Sequence, residues 1–308
     1  MIHIGLSSFG DHPQLYLPET KPSERLADYA SHYLLVEIDS TYYAIPRLTQ
    51  VEKWVKTTPE NFKFIVKAYR GMTGHVKDDE RYASKSEMFQ AFREALSPYI
   101  EHKKLAFVLF QFPPWFDYRK DHLLYLKYVR QEMKEIPVAI EFRNRTWYDE
   151  KVKREMLQLL RELAFIHTAA DEPQIGDGSV PFVSDVVNET LFIRLHGRNR
   201  AGWYRPKDRE TNWREVRYLY RYNTEELTAF KDLILTKQAE VKNVYVIFNN
   251  NSGKDANDNA AELKRLLNIK EEGSCHLNYL YFNEVSVISI DIANRANNIM
   301  IRRHVKTL

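Results

Sequence analysis

Hydrophobic positions along this chain fall in short apolar, β-branched runs, several of which finish on or beside a charged, amide or histidine side chain. Residues 2–8, 34–46, 61–68, 105–111, 137–142, 164–168, 190–196 and 243–249 have this form, and such runs predict strands buried on both faces. Between them, apolar residues at helical spacing predict helices over 22–33, 49–56, 86–99, 122–133, 149–163, 224–240 and 256–267. Pro22 suits a first helical turn, and Thr224 is the expected N-cap of a helix that opens with Glu225 and Glu226. Pro113 and Pro114 stop the fourth strand, because proline can neither donate to a ladder nor continue it.

Strands that alternate with helices are joined by crossovers and therefore lie parallel. Eight such units predict an α/β fold of the closed (β/α)8 type, a TIM barrel, with long loops after strand six (171–188) and strand seven (197–222). No glycine-rich dinucleotide turn follows the first strand, which weighs against an open doubly wound sheet. The expected barrel domain covers 1–270. A C-terminal extension, 271–308, lies beyond the eighth unit, with a strand-like stretch at 285–290 and a basic Arg302-Arg303-His304.

Composition narrows the setting more than the chemistry. At 308 residues and 44% hydrophobic, the chain can bury a full core. A formal charge of +3 is too mild to call for nucleic acid by itself. The lone Cys275 excludes an intramolecular disulfide and a cysteine-based zinc site, and fits a reducing compartment. Met1 leads directly into the first strand and no apolar run reaches spanning length, so the expectation is a soluble, cytoplasmic protein with no membrane partner.

In barrels of this kind the reacting groups stand at the C-terminal ends of the strands. Those ends supply Ser7 and Ser8, Glu37 and Asp39, Lys67, Gln111, Glu141 with Arg143, His167, Arg194 with His196, and Asn249 with Asn250. Glu37 and Asp39, two apart, should share one side of their strand. Glu37 and Glu141 are the candidate acid or base, on the expectation that crowding by other carboxylates pushes their pKa toward neutrality, and His196 is a candidate proton shuttle. Lys67, Arg143, Arg194 and Arg198 are candidate anion ligands, arginine being suited to a bidentate grip on phosphate. The competing reading is that these groups pair with one another and only plug the mouth.

Aromatic residues cluster after the same strand ends: Trp115, Trp147, Trp203 and Trp213, beside Tyr42, Tyr43, Phe116, Tyr148 and Tyr204. Arg143, Arg145, Arg198, Arg200, Arg205 and Lys207 lie among them, a mixture suited to stacking on a base or sugar and gripping phosphate. His3, His75, His167 and His196 are scattered one per unit without the paired spacing of a helical zinc motif, so no metal set is assigned. Asn251-Ser252-Gly253-Lys254 lacks the glycine and Ser/Thr of a phosphate loop, and no Gly-x-Ser-x-Gly elbow occurs.

Taken in order, Ile4-Gly5-Leu6-Ser7-Ser8, Val36 to Tyr43, Phe64 to Ala68, Gln111-Phe112-Pro113-Pro114, Glu141-Phe142-Arg143 with Trp147, Arg194 to Arg198 and Phe248-Asn249-Asn250 resemble the YecE-like family of domains of unknown function. The resemblance runs from the first strand to about Leu267 and implies a TIM barrel of uncharacterised activity. Asp39 stands where the family usually has Asn, and Leu6-Ser7-Ser8 replaces a more usual Thr-Ser-Gly. The barrel resembles those of sugar isomerases and endonuclease IV at fold level only, since histidine is sparse here and arginine abundant.

These readings converge on an enzyme that acts on a small phosphorylated molecule, or on nucleic acid, by carboxylate acid/base chemistry as a hydrolase or lyase. Glu37, Glu141 and His196 are its expected catalytic residues. Lys67, Gln111, Arg143, Trp147, Arg194, Arg198, Tyr42, Asn249 and Asn250 are its expected substrate contacts. The alternatives are a non-catalytic nucleic-acid-binding module and a metal-dependent sugar isomerase or hydrolase. No cofactor is assigned.

Overall fold

The computed structural model describes residues 1–77, 79–204 and 213–269. Eight parallel strands close into a barrel in sequence order: β1 (Ile2–Ser7), β2 (Leu35–Ile38), β3 (Lys63–Lys67), β4 (Leu105–Gln111), β5 (Val138–Glu141), β6 (Phe165–Asp171), β7 (Thr190–Leu195) and β8 (Asn243–Phe248), with β8 paired back onto β1. Helices fill the crossovers except that between β6 and β7, which has only a 3-10 turn at Gly176–Gly178: α1 (Arg25–His32), α2 (Leu48–Lys56), α3 (Lys85–Glu101), α4 (Lys120–Met133) and α5 (Lys153–Glu162), then, after β7, α6 (Arg200–Trp203), α7 (Trp213–Arg217) and α8 (Thr224–Gln238), and α9 (Asp255–Leu266) after β8. Among the described residues no helix is long and apolar enough to cross a membrane. The strand-like stretch at 285–290, the basic 302–304 and rim residues Arg205 and Lys207 lie outside the described residues.

Strand alternation separates two cores. Val36, Ile38, Phe64, Val66, Val108, Phe110 and Phe248 face the helices within the larger cluster. Leu35, Ile65, Phe107, Leu109, Ala139, Ile166, Phe192, Tyr245 and Ile247 fill the barrel itself. There Phe107 meets Phe192 and Tyr245 edge to face at centroid distances of 4.7 and 5.2 Å. Gly5 is required on β1 because a Cβ there would lie 2.1 Å from the Leu35 carbonyl oxygen.

One step further along the inward face of each strand, the filling turns polar. Leu35 is followed by Glu37, Ile65 by Lys67, Leu109 by Gln111, Ala139 by Glu141, Phe192 by Arg194 and Ile247 by Asn249. Period-two alternation therefore delivers the charged residues to one end, the C-terminal mouth.

Three expectations are corrected. β2 stops at Ile38, and residues Ser40–Tyr42 coil into a 3-10 turn held by Tyr42 N donating to Asp39 O, with Thr41 Oγ1 donating to Ile38 O and Lys67 O. Asp39 therefore leaves the strand and does not continue the face of Glu37. The cap of α8 is Asn223, one residue earlier than expected, with the reciprocal Asn223–Glu226 capping box. β6 continues to Asp171, three residues beyond its expected end.

Candidate functional site

The polar layer at the mouth is one connected assembly. Arg194 lies at its centre with no solvent exposure. Its Nε and Nη2 donate to Glu37 Oε2 and Oε1 at 2.8 and 2.6 Å, a bidentate pair, and its Nη1 donates to Glu141 Oε2 at 2.6 Å. Ser7 Oγ donates to Glu37 Oε1 at 3.0 Å, and Gln111 Nε2 to Glu141 Oε1 at 2.6 Å. Arg143 bridges Glu141 and Glu172, each at 3.0 Å. Ser7, Glu37, Gln111, Glu141, Arg194 and Asn249 come from six different strand ends, so the barrel supplies the convergence that no sequence neighbourhood does.

His196 sits against this assembly. Asn249 Nδ2 donates to His196 Nδ1 at 2.9 Å, which leaves Nε2 to carry the proton toward Glu141 Oε1 at 3.2 Å. Arg143 and Arg194 nitrogens crowd the same Nε2 at 3.2 and 3.3 Å. Burial, reinforced by the two guanidinium charges, outweighs the attraction of Glu141 and lowers the His196 pKa to about 3. His196 is therefore neutral at physiological pH.

Glu141 behaves opposite to the expectation from crowding. Burial alone pushes its pKa up, but Arg194, His196 and Arg143 surround it and hold it well below the usual carboxylate range. Crowding by carboxylates was the wrong premise, since the charges nearest Glu141 are the guanidinium groups of Arg143 and Arg194. Burial raises the pKa of Glu172 against the pull of Arg143. Lys67 pairs with Asp39 at 2.6 Å. Burial penalises its charge, but Asp39 and Glu37 together outweigh that penalty and keep the lysine pKa above its ordinary value.

Lys67 Nζ also lies 5.1 Å from the Tyr42 ring centroid, and Tyr42 meets Tyr43 and His75 edge to face. Side-chain exposure is 12% for Lys67 and 8% for Arg143, whereas Glu37, Glu141 and Arg194 have none. A molecule arriving from solvent thus meets Lys67, Arg143 and the partly exposed Gln111, Asn249 and Tyr42 before the sealed triad beneath them.

Other expected contacts are placed elsewhere. Trp147 has no exposed surface: its ring stacks 4.0 Å from Phe142 and its Nε1 donates to Phe116 O, so it packs a small aromatic core under the loop. Asn250 is equally buried and ties Tyr220 O to Asn259. Arg198 is held by Asp171 and Glu226 at 2.8 and 2.9 Å. Sequence reasoning overlooked Glu172, Arg217 and Tyr218. The Tyr218 ring lies 6.0 Å from that of His196, and Arg217 packs on Trp203 and Trp213. For Arg217 and Tyr218 the signal was the Arg/Trp/Tyr content of the 197–222 insertion, which marked the segment without ranking its members, whereas Glu172 lies in the 171–188 connection. A separate cavity of about 250 Å³ opens between the β3–α3 loop and the start of α3, lined by Gly71, Lys77, Asp79, Tyr82 and Met88 among others, and none of the strand-end residues reach it.

A closed parallel barrel whose strand ends meet in one charged mouth defines the class: a TIM-barrel protein with a polar C-terminal face. The chain belongs to the DUF72 family, described as proteins of unknown function, whose family model matches residues 3–278. It is 49% identical over 274 residues to the UPF0759 protein YunF of Bacillus subtilis, covering 89% of this chain and 97% of that one. Among solved structures, a DUF72 family protein from Enterococcus faecalis superposes with a TM-score of 0.82 at 42% identity over 88% of this chain and 96% of its own. A DUF72 family protein from Thermotoga maritima does so with a TM-score of 0.73 at 29% identity, over 87% and 99%. The matched designations are DUF72 and UPF0759, where the sequence motifs had suggested the YecE-like label.

Proposed function

We propose that this protein is an enzyme acting on a small phosphate-bearing substrate at the barrel mouth, with Glu141 and His196 handling the proton. The observation that carries this reading is the buried assembly itself. Taking carboxylates and guanidinium groups out of water costs several kcal/mol per ion before pairing, and well-packed apolar side chains would close a barrel at least as stably. Preorganised charge in a dry site is what a reacting substrate gains from such an arrangement.

Lys67 and Arg143 receive the phosphate, with Gln111 and Asn249 alongside. A phosphate that draws Arg143 toward itself weakens the hold of that guanidinium on Glu141 and removes a positive charge beside His196. Both groups then become better bases, so substrate binding and proton transfer are coupled through one side chain. Arg194, sealed below, keeps Glu37 and Glu141 in register throughout.

The test is turnover of a panel of phosphomonoesters and nucleotides by the wild type, Glu141→Gln and Lys67→Met, each with a cooperative melt as a folding control. Turnover by the wild type, its loss in Glu141→Gln and a raised KM in Lys67→Met are the expected results. A wild type inert toward the whole panel, or a folded Glu141→Gln with full activity, would overturn the proposal.

A second reading, a nucleic-acid-binding module without catalysis, has one observation in its favour: Trp115, Tyr204 and Tyr43 are 61%, 60% and 42% exposed, a surface on which bases could stack. It predicts binding that weakens steeply with salt and is indifferent to Glu141→Gln. The metal-dependent alternative finds no donor set among the described residues, where no three His, Cys, Asp or Glu side chains come together as ligands.

A further inference from the structure

The insertion after β7 returns over the mouth with Trp203, Arg217 and Tyr218, which the proposed reaction leaves without a role. The Arg217 guanidinium carbon lies 4.1 Å from the Trp203 ring centroid, 4.6 Å from that of Trp213 and 5.6 Å from that of Tyr218. Arg143 shares the Trp203 ring, at 5.3 Å, so both guanidinium groups pack on one indole. The cations of the strand ends are matched: Lys67 by Asp39, Arg143 by Glu141 and Glu172, Arg194 by Glu37 and Glu141. Arg217 differs. Among the described residues it has no hydrogen bond or ion pair, and its Nε is buried without a partner. Burial lowers its pKa, with Arg143 adding to the effect and Tyr218, Glu172 and Glu141 opposing it, so its charge is felt at the mouth.

An unmatched, half-buried guanidinium carries a desolvation cost that aromatic packing offsets only in part. A ligand anion would supply the missing partner. We infer that Arg217, with Tyr218 beside it, anchors the phosphate of a small phosphomonoester and selects for that group. This rests on the proposed phosphate-bearing substrate and names the residue that recognises it. The planar fork of Arg217 can face two phosphate oxygens at once while Lys67 and Arg143 hold the third.

The probe is inorganic phosphate, titrated calorimetrically at millimolar concentration into the full chain and into Arg217→Gln, Arg217→Lys and Lys67→Met. Arg217→Gln is expected to weaken phosphate binding about tenfold to a hundredfold, the loss of charge-assisted hydrogen bonds, with an unchanged melting temperature. Arg217→Lys, which keeps the charge and loses the fork, should fall between. If the wild type binds phosphate and Arg217→Gln binds it equally well while Lys67→Met does not, the mouth takes phosphate but the anchor is misassigned. If the wild type binds no phosphate, this inference and the proposed substrate class fall together.

Discussion

Ser8 adopts φ +59°, in the left-handed region, directly after β1, where the motif that this chain resembles more usually has glycine. The turn is needed because Ser8 N donates to Glu37 O at 2.9 Å, closing β1 onto the end of β2 beside the Arg194 assembly. A Cβ makes that conformation cost about 1–2 kcal/mol, part of which Ser8 Oγ recovers by accepting from Gly10 N at 3.2 Å. Ser8→Gly should therefore raise the unfolding free energy by about 0.5–1 kcal/mol in urea titration. A drop would mean that the hydroxyl matters more than the backbone strain. His196 ties the stability of the fold to pH. Its pKa falls from 6.5 unfolded to about 3 folded, so between those values the unfolded chain binds the proton and the folded one does not. The stability tied to this residue is thus fully present above pH 6.5 and is lost as pH falls toward 3. Glu141, held well below 4.5, adds a further loss in more acid solution. Buried His167, lowered to about 4, works in the same direction. Unfolding midpoints measured from pH 7 to pH 4 should decline steadily, and less steeply in His196→Asn. Identical slopes in the two proteins would contradict the burial argument.

At the scale of elements, what could be read from sequence was what repeats locally. Each strand declared itself by an apolar run and the seven longer helices by their spacing, so the eight units and their order were visible and the polar residue closing each inward face marked the mouth, whereas the short α6 and α7 lay in what read as a loop. What depends on loop folding was not visible. Trp147 and Trp203 both follow a strand end in aromatic, arginine-rich sequence, yet Trp147 is stacked away in a satellite core while Trp203 carries two guanidinium groups. Arg198 and Arg217 are equally arginine-like in the same insertion. One is claimed by Asp171 and Glu226, residues of β6 and α8, and the other by none among the described residues. The end of β2 was missed for a similar reason: Thr41 turns the chain by bonding to Lys67 O, a partner 26 residues away that no local pattern reveals.

For the molecule as a whole, the decisive question is whether the Glu37–Arg194–Glu141 triad is a staple or a site. It links β2, β7 and β5 across the mouth, with Glu37 and Arg194 separated by 157 residues, so it could serve to hold the barrel shut. The two roles differ in how mutations add. Arg194→Met strands the buried Glu37, leaves Glu141 with Arg143 as its one guanidinium partner, and should cost about 3–5 kcal/mol in denaturant unfolding. Replacing all three charges, Glu37→Leu with Arg194→Met and Glu141→Leu, strands none of the triad. Arg143 keeps Glu172 as its partner, and the partly exposed Gln111 can turn to water. If the triad is kept for its chemistry, the triple variant should return to within about 2 kcal/mol of the wild type, or exceed it, while losing turnover of any phosphomonoester the wild type processes. A staple would give the reverse, a triple variant at least as unstable as Arg194→Met. With the Glu37→Leu/Glu141→Leu double variant closing the unfolding cycle, the coupling energy decides between the roles even before a natural substrate is known.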